Sequence, residues 1–222
     1  MSIEQNLNKI KSTLPEKVTL VAVTKTKPVR DIMEAYQAGQ RIFGENRVQD
    51  MVDKEDQLPK DIEWHMIGHV QRNKVKYMAG FVHLIHGVDN FKLLKEINKQ
   101  AIEYKRTIHC LLQIKIAEED SKFGMTASEA EDILQSEKFA KLKNICIDGV
   151  MGMATFTDDQ DQIETEFKSL KSTFEHLKTI PLDNCKFQTI SMGMSGDYPI
   201  AIACGSTMIR VGSSIFGERI YE

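Results

Sequence analysis

Lys25 is the first residue of the chain whose type and position could do chemistry. It follows the apolar run of residues 20–24 (LVAVT), and Pro28 closes the segment. In a strand, successive side chains point to opposite faces, so Val21, Val23 and Lys25 would share one face. An amine at the end of a buried face loses part of its preference for the ammonium form, as an imine-forming lysine requires. The alternative is a strand-end lysine that extends its amine into solvent.

Two segments near the C-terminus are rich in glycine and serine. Residues 191–196 read SMGMSG, and residues 210–214 read RVGSS. Glycine lets backbone N–H groups approach an anion closely, and serine hydroxyls add further donors. The pair is consistent with a phosphate site, and the glycines could equally serve tight turns alone.

Arg210 alternates with Met208 and Gly212 on one face of a predicted strand. A buried guanidinium there requires an acceptor, which either a ligand or an internal salt bridge would supply. Lys25, the two loops and Arg210 together match one ligand, pyridoxal 5'-phosphate (PLP). Its aldehyde would react with the lysine, its phosphate would bind at the loops, and its ring nitrogen would face the arginine.

The elements that must position these residues alternate along the chain. The predicted strands are residues 19–24, 41–46, 62–68, 81–88, 107–116, 145–151, 187–190 and 207–211. Helical segments separate them, with no Pro/Gly/Ser linker, so we expect one α/β domain over residues 1–222. The economical arrangement is a single (β/α)8 TIM barrel with an extra N-terminal helix over residues 2–13, and an open doubly wound sheet is the alternative.

Composition sets limits on partners and location. Charged residues make up 27% of the chain and the net charge is −3, so nothing favours nucleic acid as a partner. No apolar run approaches the roughly 20 residues of a membrane helix, and residues 1–11 are too polar for a signal peptide. The four cysteines are far apart within or beside apolar sequence, as is typical of buried thiols in a reducing compartment. We therefore expect a cytoplasmic protein.

Six motifs together give the chain a specific resemblance. They are residues 22–28 (AVTKTKP), 43–46 (FGEN), 64–68 (WHMIG), 191–195 (SMGMS), 205–212 (GSTMIRVG) and 215–217 (IFG). On these motifs the chain resembles the YggS/PROSC family of pyridoxal-phosphate homeostasis proteins, which is related in fold to the N-terminal barrel of alanine racemase. The resemblance extends over nearly the whole chain.

The resemblance implies a role for each of seven residues. Lys25 would carry PLP as a Schiff base, and Arg210 would face the pyridine nitrogen. The remaining five would hold the phosphate (Ser195, Gly212, Ser213) or line the cofactor (Asn46, Met194). Lys27 is the competing Schiff-base candidate, although its position next to Pro28 indicates a loop. Phe123 departs from the small or polar residue that the family usually has after Ser121 and Lys122, so the role of that loop is open.

Arg210 also bears on function, because a permanently charged arginine keeps the ring nitrogen unprotonated and the ring a poor electron sink. We therefore expect a carrier or buffer of PLP with little or no turnover. We also expect a monomer, with apo forms of PLP-dependent enzymes as recipients of the cofactor.

A small PLP-dependent amino-acid racemase is the alternative function, with Tyr198 or His65 as a second base. A zinc or interaction module based on His65 with His69, or on His83 with His86, is disfavoured because neither spacing brings the two side chains together on a strand. We expect no metal site.

Overall fold

The computed structural model describes residues 2–119 and 123–218. Eight parallel strands close into a barrel in the order β1 to β8, and β8 pairs with β1 through Val21 and Arg210. The strands are Thr19–Val23 (β1), Ile42–Glu45 (β2), Glu63–Met66 (β3), Leu84–Val88 (β4), Ile108–Gln113 (β5), Ile145–Met151 (β6), Cys185–Ser191 (β7) and Met208–Val211 (β8). The predicted TIM barrel is confirmed, and closure through β1 and β8 excludes the open sheet.

Helices surround the barrel on the outside. In the described residues they are Ile3–Thr13 (α1), Val29–Gln37 (α2), Val48–Glu55 (α3), Val75–Met78 (α4), Phe91–Glu103 (α5), Ala127–Gln135 (α6), Glu137–Ala140 (α7), Gln160–Lys178 (α8), Tyr198–Ala203 (α9) and Ser213–Phe216 (α10). A 3₁₀ turn at Arg72–Lys74 leads into α4. No helix of the described chain is long and apolar enough to cross a membrane.

Local sequence explains where several helices begin. Ser2 and Gln5 form a capping box at α1, so the extra N-terminal helix starts where the sequence predicts. Thr126 and Glu129 form the same reciprocal pair at α6. Asn90 caps α5 by accepting a hydrogen bond from the backbone N–H of Leu93 at 2.9 Å.

Two apolar clusters stabilise the fold. The larger lies between the strands and the helices, and includes the largest buried side chains, such as Trp64, Phe43 and Phe167. The smaller brings together side chains from five strands: Val21, Leu84, Leu111, Met151 and Met208. Side chains from β1, β4, β5, β6 and β8 can meet only inside the barrel, so this cluster fills its lumen.

Some predicted boundaries differ from the structure. The strand predicted over residues 81–88 begins only at Leu84, because the N–H groups of Phe81 and Val82 bond back to the carbonyl of Met78. Strand β1 ends at Val23, so Lys25 lies one residue beyond Thr24 in a turn rather than on the strand. Lys25 is therefore positioned by the turn after β1 and not by strand alternation.

Candidate functional site

A cavity of about 720 Å³ opens at the carboxyl ends of the barrel strands. Its volume lies within the range of about 300–1,000 Å³ that is usual for small-molecule sites. All seven residues that the sequence assigns to the cofactor line this cavity: Lys25, Asn46, Met194, Ser195, Arg210, Gly212 and Ser213. They come from four separate parts of the chain, which the barrel brings together at one end.

The turn that carries Lys25 is fixed by a buried network. Glu45, at the end of β2, is fully buried and accepts hydrogen bonds from the hydroxyl of Thr24 and from Lys54 Nζ at 2.6 Å. Lys54 also donates to the backbone carbonyl of Thr24 at 2.9 Å. Burial raises the pKa of Glu45, and the Lys54 ammonium opposes that rise. The network holds the residue immediately before Lys25 in place.

The amine of Lys27 makes hydrogen bonds to the backbone near the end of the described chain. Its Nζ donates to the backbone carbonyls of Phe216, Gly217 and Glu218 at 3.0, 3.1 and 3.2 Å. These carbonyls belong to the last residue of α10 and to the two residues that follow it, so none of them accepts a hydrogen bond within the helix. Lys27 thus ties the β1 turn to the end of the described chain, and Lys25 and Lys27 both line the cavity.

The two glycine- and serine-rich loops meet at Ser195. Its Oγ accepts hydrogen bonds from the backbone N–H groups of Gly212 at 3.3 Å and Ser214 at 3.4 Å. A side chain at Gly212 would place its Cβ 3.2 Å from the carbonyl oxygen of Val23, so glycine allows the loop to lie against β1. Ser195, Gly212 and Ser213 therefore lie together on one wall of the cavity.

Asp197 fixes the first of these loops, since its carboxylate accepts a hydrogen bond from the backbone N–H of Met194.

On the other side of the cavity, Asn46 lies directly against Gly68. A Cβ at Gly68 would come within 2.2 Å of the Asn46 carbonyl oxygen, so only glycine permits this contact. The 43–46 and 64–68 motifs therefore pack against each other at the wall of the cavity.

Arg210 is buried, with 4% of its surface exposed, and it points into the lumen as the alternation with Met208 predicts. Its guanidinium donates to Ser191 Oγ at 2.6 Å and to the carbonyl of Gly152 at 3.0 Å. Burial lowers its pKa to about 10, against the influence of Asp197, so it is charged at neutral pH. Only two of its five N–H groups have acceptors among the described residues, which leaves donors for a ligand in the cavity.

Behind Arg210 a chain of buried side chains continues through the barrel. Ser191 Oγ lies 3.0 Å from His86 Nδ1, and His86 Nε2 lies 3.0 Å from His65 Nδ1. Burial lowers the pKa of His86 well below its usual value and that of His65 to about 3, so both rings are neutral at physiological pH. His65 is a buried strand residue with a hydrogen bond to His86, and it does not line the cavity.

The second-base candidates of the racemase alternative are misplaced. Tyr198 is the first residue of α9, packs on the outer core and, like His65, is absent from the cavity wall. The histidine that does line the cavity is His69, whose Nδ1 lies 3.2 Å from Asp89 Oδ2. Its position just after β3, at the functional end of the barrel, was the signal in the sequence that could have identified it.

Phe123 stands beside His69, with the two ring centroids 4.2 Å apart and nearly parallel. Its backbone carbonyl accepts a hydrogen bond from the Gln113 side chain at 2.9 Å. Phe123 therefore belongs to the cavity wall, whereas Ser121 and Lys122 lie outside the described residues.

Comparisons with known proteins agree with this geometry. A family model described as "Alanine racemase, N-terminal domain" matches residues 1–220. The pyridoxal phosphate homeostasis protein of Pasteurella multocida is 41% identical over 237 residues, with all of both chains covered. PipY of Synechococcus elongatus, solved with PLP bound, is 33% identical and superposes with a TM-score of 0.89 over 97% of this chain and 100% of its own.

A more distant structure shares the fold. Alanine racemase of Enterococcus faecalis is 17% identical and has a TM-score of 0.74, covering 98% of this chain but only 58% of its own. The closed barrel, the cavity and these full-length matches agree, and the chain belongs to the family of pyridoxal phosphate homeostasis proteins, whose barrel is that of the alanine racemase N-terminal domain.

Proposed function

We propose that this protein binds pyridoxal 5'-phosphate in the cavity and carries or buffers it, with little or no catalytic turnover. The observation that carries the proposal is the convergence of a lysine, a set of backbone and hydroxyl donors, and a buried arginine on one cavity of suitable size. PLP has one group for each of them. When bound, it supplies an aldehyde that condenses with a primary amine and a pyridine ring that withdraws electrons.

The residues of this chain divide the binding between them. Lys25 offers the amine, held by the turn that Thr24, Glu45 and Lys54 fix. Ser195 and Ser213 with the N–H of Gly212 receive the phosphate, and Asn46 and Met194 line the cofactor. Arg210 donates to the ring nitrogen through N–H groups that Ser191 and Gly152 leave unused.

Arg210 also supports the low turnover. An arginine that is charged at neutral pH donates a proton to a hydrogen bond but cannot take one, so the ring nitrogen stays unprotonated. An unprotonated ring stabilises a developing carbanion poorly. Carrier activity requires retention and release of PLP rather than this chemistry, and the open end of the cavity serves both.

Release to recipient enzymes is part of the proposal. Phe156 lies at the cavity with 95% of its surface exposed, and Phe123 is 54% exposed there. These two side chains give the mouth an apolar rim that apo forms of PLP-dependent enzymes would contact. The protein would act as a cytoplasmic monomer, with the cavity mouth free for that contact.

Reductive trapping tests the binding site. Protein saturated with PLP is treated with borohydride, and the labelled peptide is mapped by mass spectrometry. We expect the label on Lys25 and the loss of the imine absorbance band in Lys25→Ala, with the band retained in the matched variant Lys27→Ala. Label on Lys27 with Lys25 unmodified would move the attachment point, and the absence of any labelled lysine would overturn the proposal.

A small racemase is the second candidate, because His69, paired with Asp89, lines the same cavity as Lys25 and would be the second acid/base group. Purified protein with PLP is incubated with single L-amino acids in deuterated water. We expect no incorporation of deuterium at Cα above the rate of free PLP. Incorporation that His69→Asn abolishes would establish the enzyme instead.

A further inference from the structure

A second group of ligand-type side chains lies at the end of the barrel opposite the cavity. Glu63 is the first residue of β3, His65 follows two residues later, and His83 directly precedes β4. One donor atom from each of the three lies within 4.8 Å of the others. His83 Nε2 is 3.6 Å from Glu63 Oε2, and the rings of His83 and His65 are nearly parallel with centroids 5.6 Å apart.

His65 gives this group its distinctive feature. The residue is 2% exposed, and its Nε2 has no hydrogen-bond partner in the part of the chain that the structure describes. A buried polar atom without a partner costs free energy, and such atoms are rare in native proteins. The ring itself is firmly oriented, because its other nitrogen, Nδ1, lies 3.0 Å from His86 Nε2.

We propose that Glu63, His65 and His83 bind a divalent transition-metal cation of the zinc type. Two imidazole nitrogens and one carboxylate oxygen are the ligands that zinc and its neighbours prefer, and three protein ligands leave a position for water. The side chains of Glu63 and His83 are 45% and 52% exposed, so both can rotate towards a cation held at His65. None of these three side chains lines the PLP cavity, so the proposed cation site is separate from the PLP site.

The surroundings of His65 suit a metal ligand. A metal takes the lone pair of Nε2, so the proton sits on Nδ1 and is donated to His86. His86 then donates from Nδ1 to Ser191 Oγ, which has two lone pairs and also accepts from Arg210. A ligating histidine characteristically donates its other ring N–H in this way.

A second cluster at the same end of the barrel, formed by His109, Cys146 and Asp148, also has a buried oxygen without a hydrogen-bond partner in the described residues, Asp148 Oδ1, but its histidine is already paired. His109 Nδ1 is already bonded to Asp148 Oδ2 at 2.6 Å. We assign the cation to Glu63, His65 and His83 for this reason, and the second cluster supplies a matched control.

The test uses the full chain without an affinity tag, dialysed against EDTA and then titrated with Zn²⁺ by calorimetry, with and without PLP. We expect one Zn²⁺ per chain in both states. Glu63→Gln and His83→Asn change exposed side chains and preserve the fold, and each should weaken binding at least about tenfold, a loss that even outer-shell partners of a metal cause. His109→Asn should leave the affinity unchanged.

The position is checked by anomalous diffraction at the zinc edge from crystals of the titrated protein. A peak bonded to His65 Nε2 and His83 confirms the site. A peak at His109, Cys146 and Asp148, equal affinity in all variants, or an absence of saturable binding would each overturn the proposal. None of these results depends on whether PLP binds at Lys25, so the two proposals fail separately.

Discussion

Arg210 shows how one residue can limit the chemistry of a cavity. Its charge is retained in a buried position because Ser191 and the Gly152 carbonyl accept two of its hydrogen bonds. Arg210 lines the cavity in which we propose that the PLP ring lies. A neutral side chain there would change both the strength of binding and the protonation of the ring.

Arg210→Gln should weaken PLP binding about 10- to 100-fold, because a hydrogen bond to a charged group contributes about 1.5–3 kcal/mol. Equilibrium dialysis, with PLP measured by its absorbance, gives the affinity. Arg41→Gln is the control, since Arg41 stacks on Tyr36 away from the cavity and should bind PLP normally. Unchanged affinity in Arg210→Gln would show that the arginine does not contact the cofactor.

At the scale of elements, the cavity depends on contacts that hold loops rather than strands. The turn after β1 is held by Glu45 of β2 and Lys54 of α3, and the loop after β7 is held by Ser195 and Asp197. Glu45 is the most costly of these residues to bury, because its carboxylate is fully buried and its Oε2 has no hydrogen-bond partner in the described structure. Lys54 supplies its compensating charge.

Lys54→Met should destabilise the protein by about 3 kcal/mol, because it leaves a buried carboxylate without its cation. The free energy of unfolding in urea at neutral pH measures the loss. The double variant Lys54→Met with Glu45→Gln removes both charges and should regain part of that stability. If the double variant is the less stable of the two, the ion pair is not what stabilises the turn.

Across the whole molecule, the sequence predicts the fold better than it predicts the details of the site. Strands such as β6 are apolar runs with clear ends, so their number and order follow from the pattern, and the family is confirmed by full-length matches. The seven cofactor residues do line one cavity, and their roles stay predictions.

What the sequence did not reveal depends on register and on loops. His65 and His86 are 21 residues apart, and they meet only because β3 pairs with β4 so that His65 lies beside Leu84. The spacing of His65 to His69 along the chain gave no indication of that contact. Likewise, strand alternation could not place Lys25, because β1 ends before it in a turn that Lys54 fixes from another element.

The buried histidines make stability depend on pH for the molecule as a whole. The pKa of His65 is about 3 in the folded chain against 6.5 for an ordinary histidine, so between these values the unfolded chain binds more protons. Stability therefore falls as the pH is lowered below 6.5, and His65 alone should account for about 2 kcal/mol between pH 7 and pH 5. The pKa of His86 is also lowered by burial, so its contribution has the same sign.

Urea unfolding of metal-free protein at a series of pH values measures this dependence. His65→Asn, if it remains folded by circular dichroism, should show a shallower loss of stability towards acid pH than the parent protein. His176→Asn is the matched control because His176 is an exposed histidine on α8, paired with Glu131. Two results would contradict the assignment of the acid sensitivity to buried His65. One is a parent protein whose free energy of unfolding is the same at pH 7 and pH 5, and the other is a control variant that changes as much as His65→Asn.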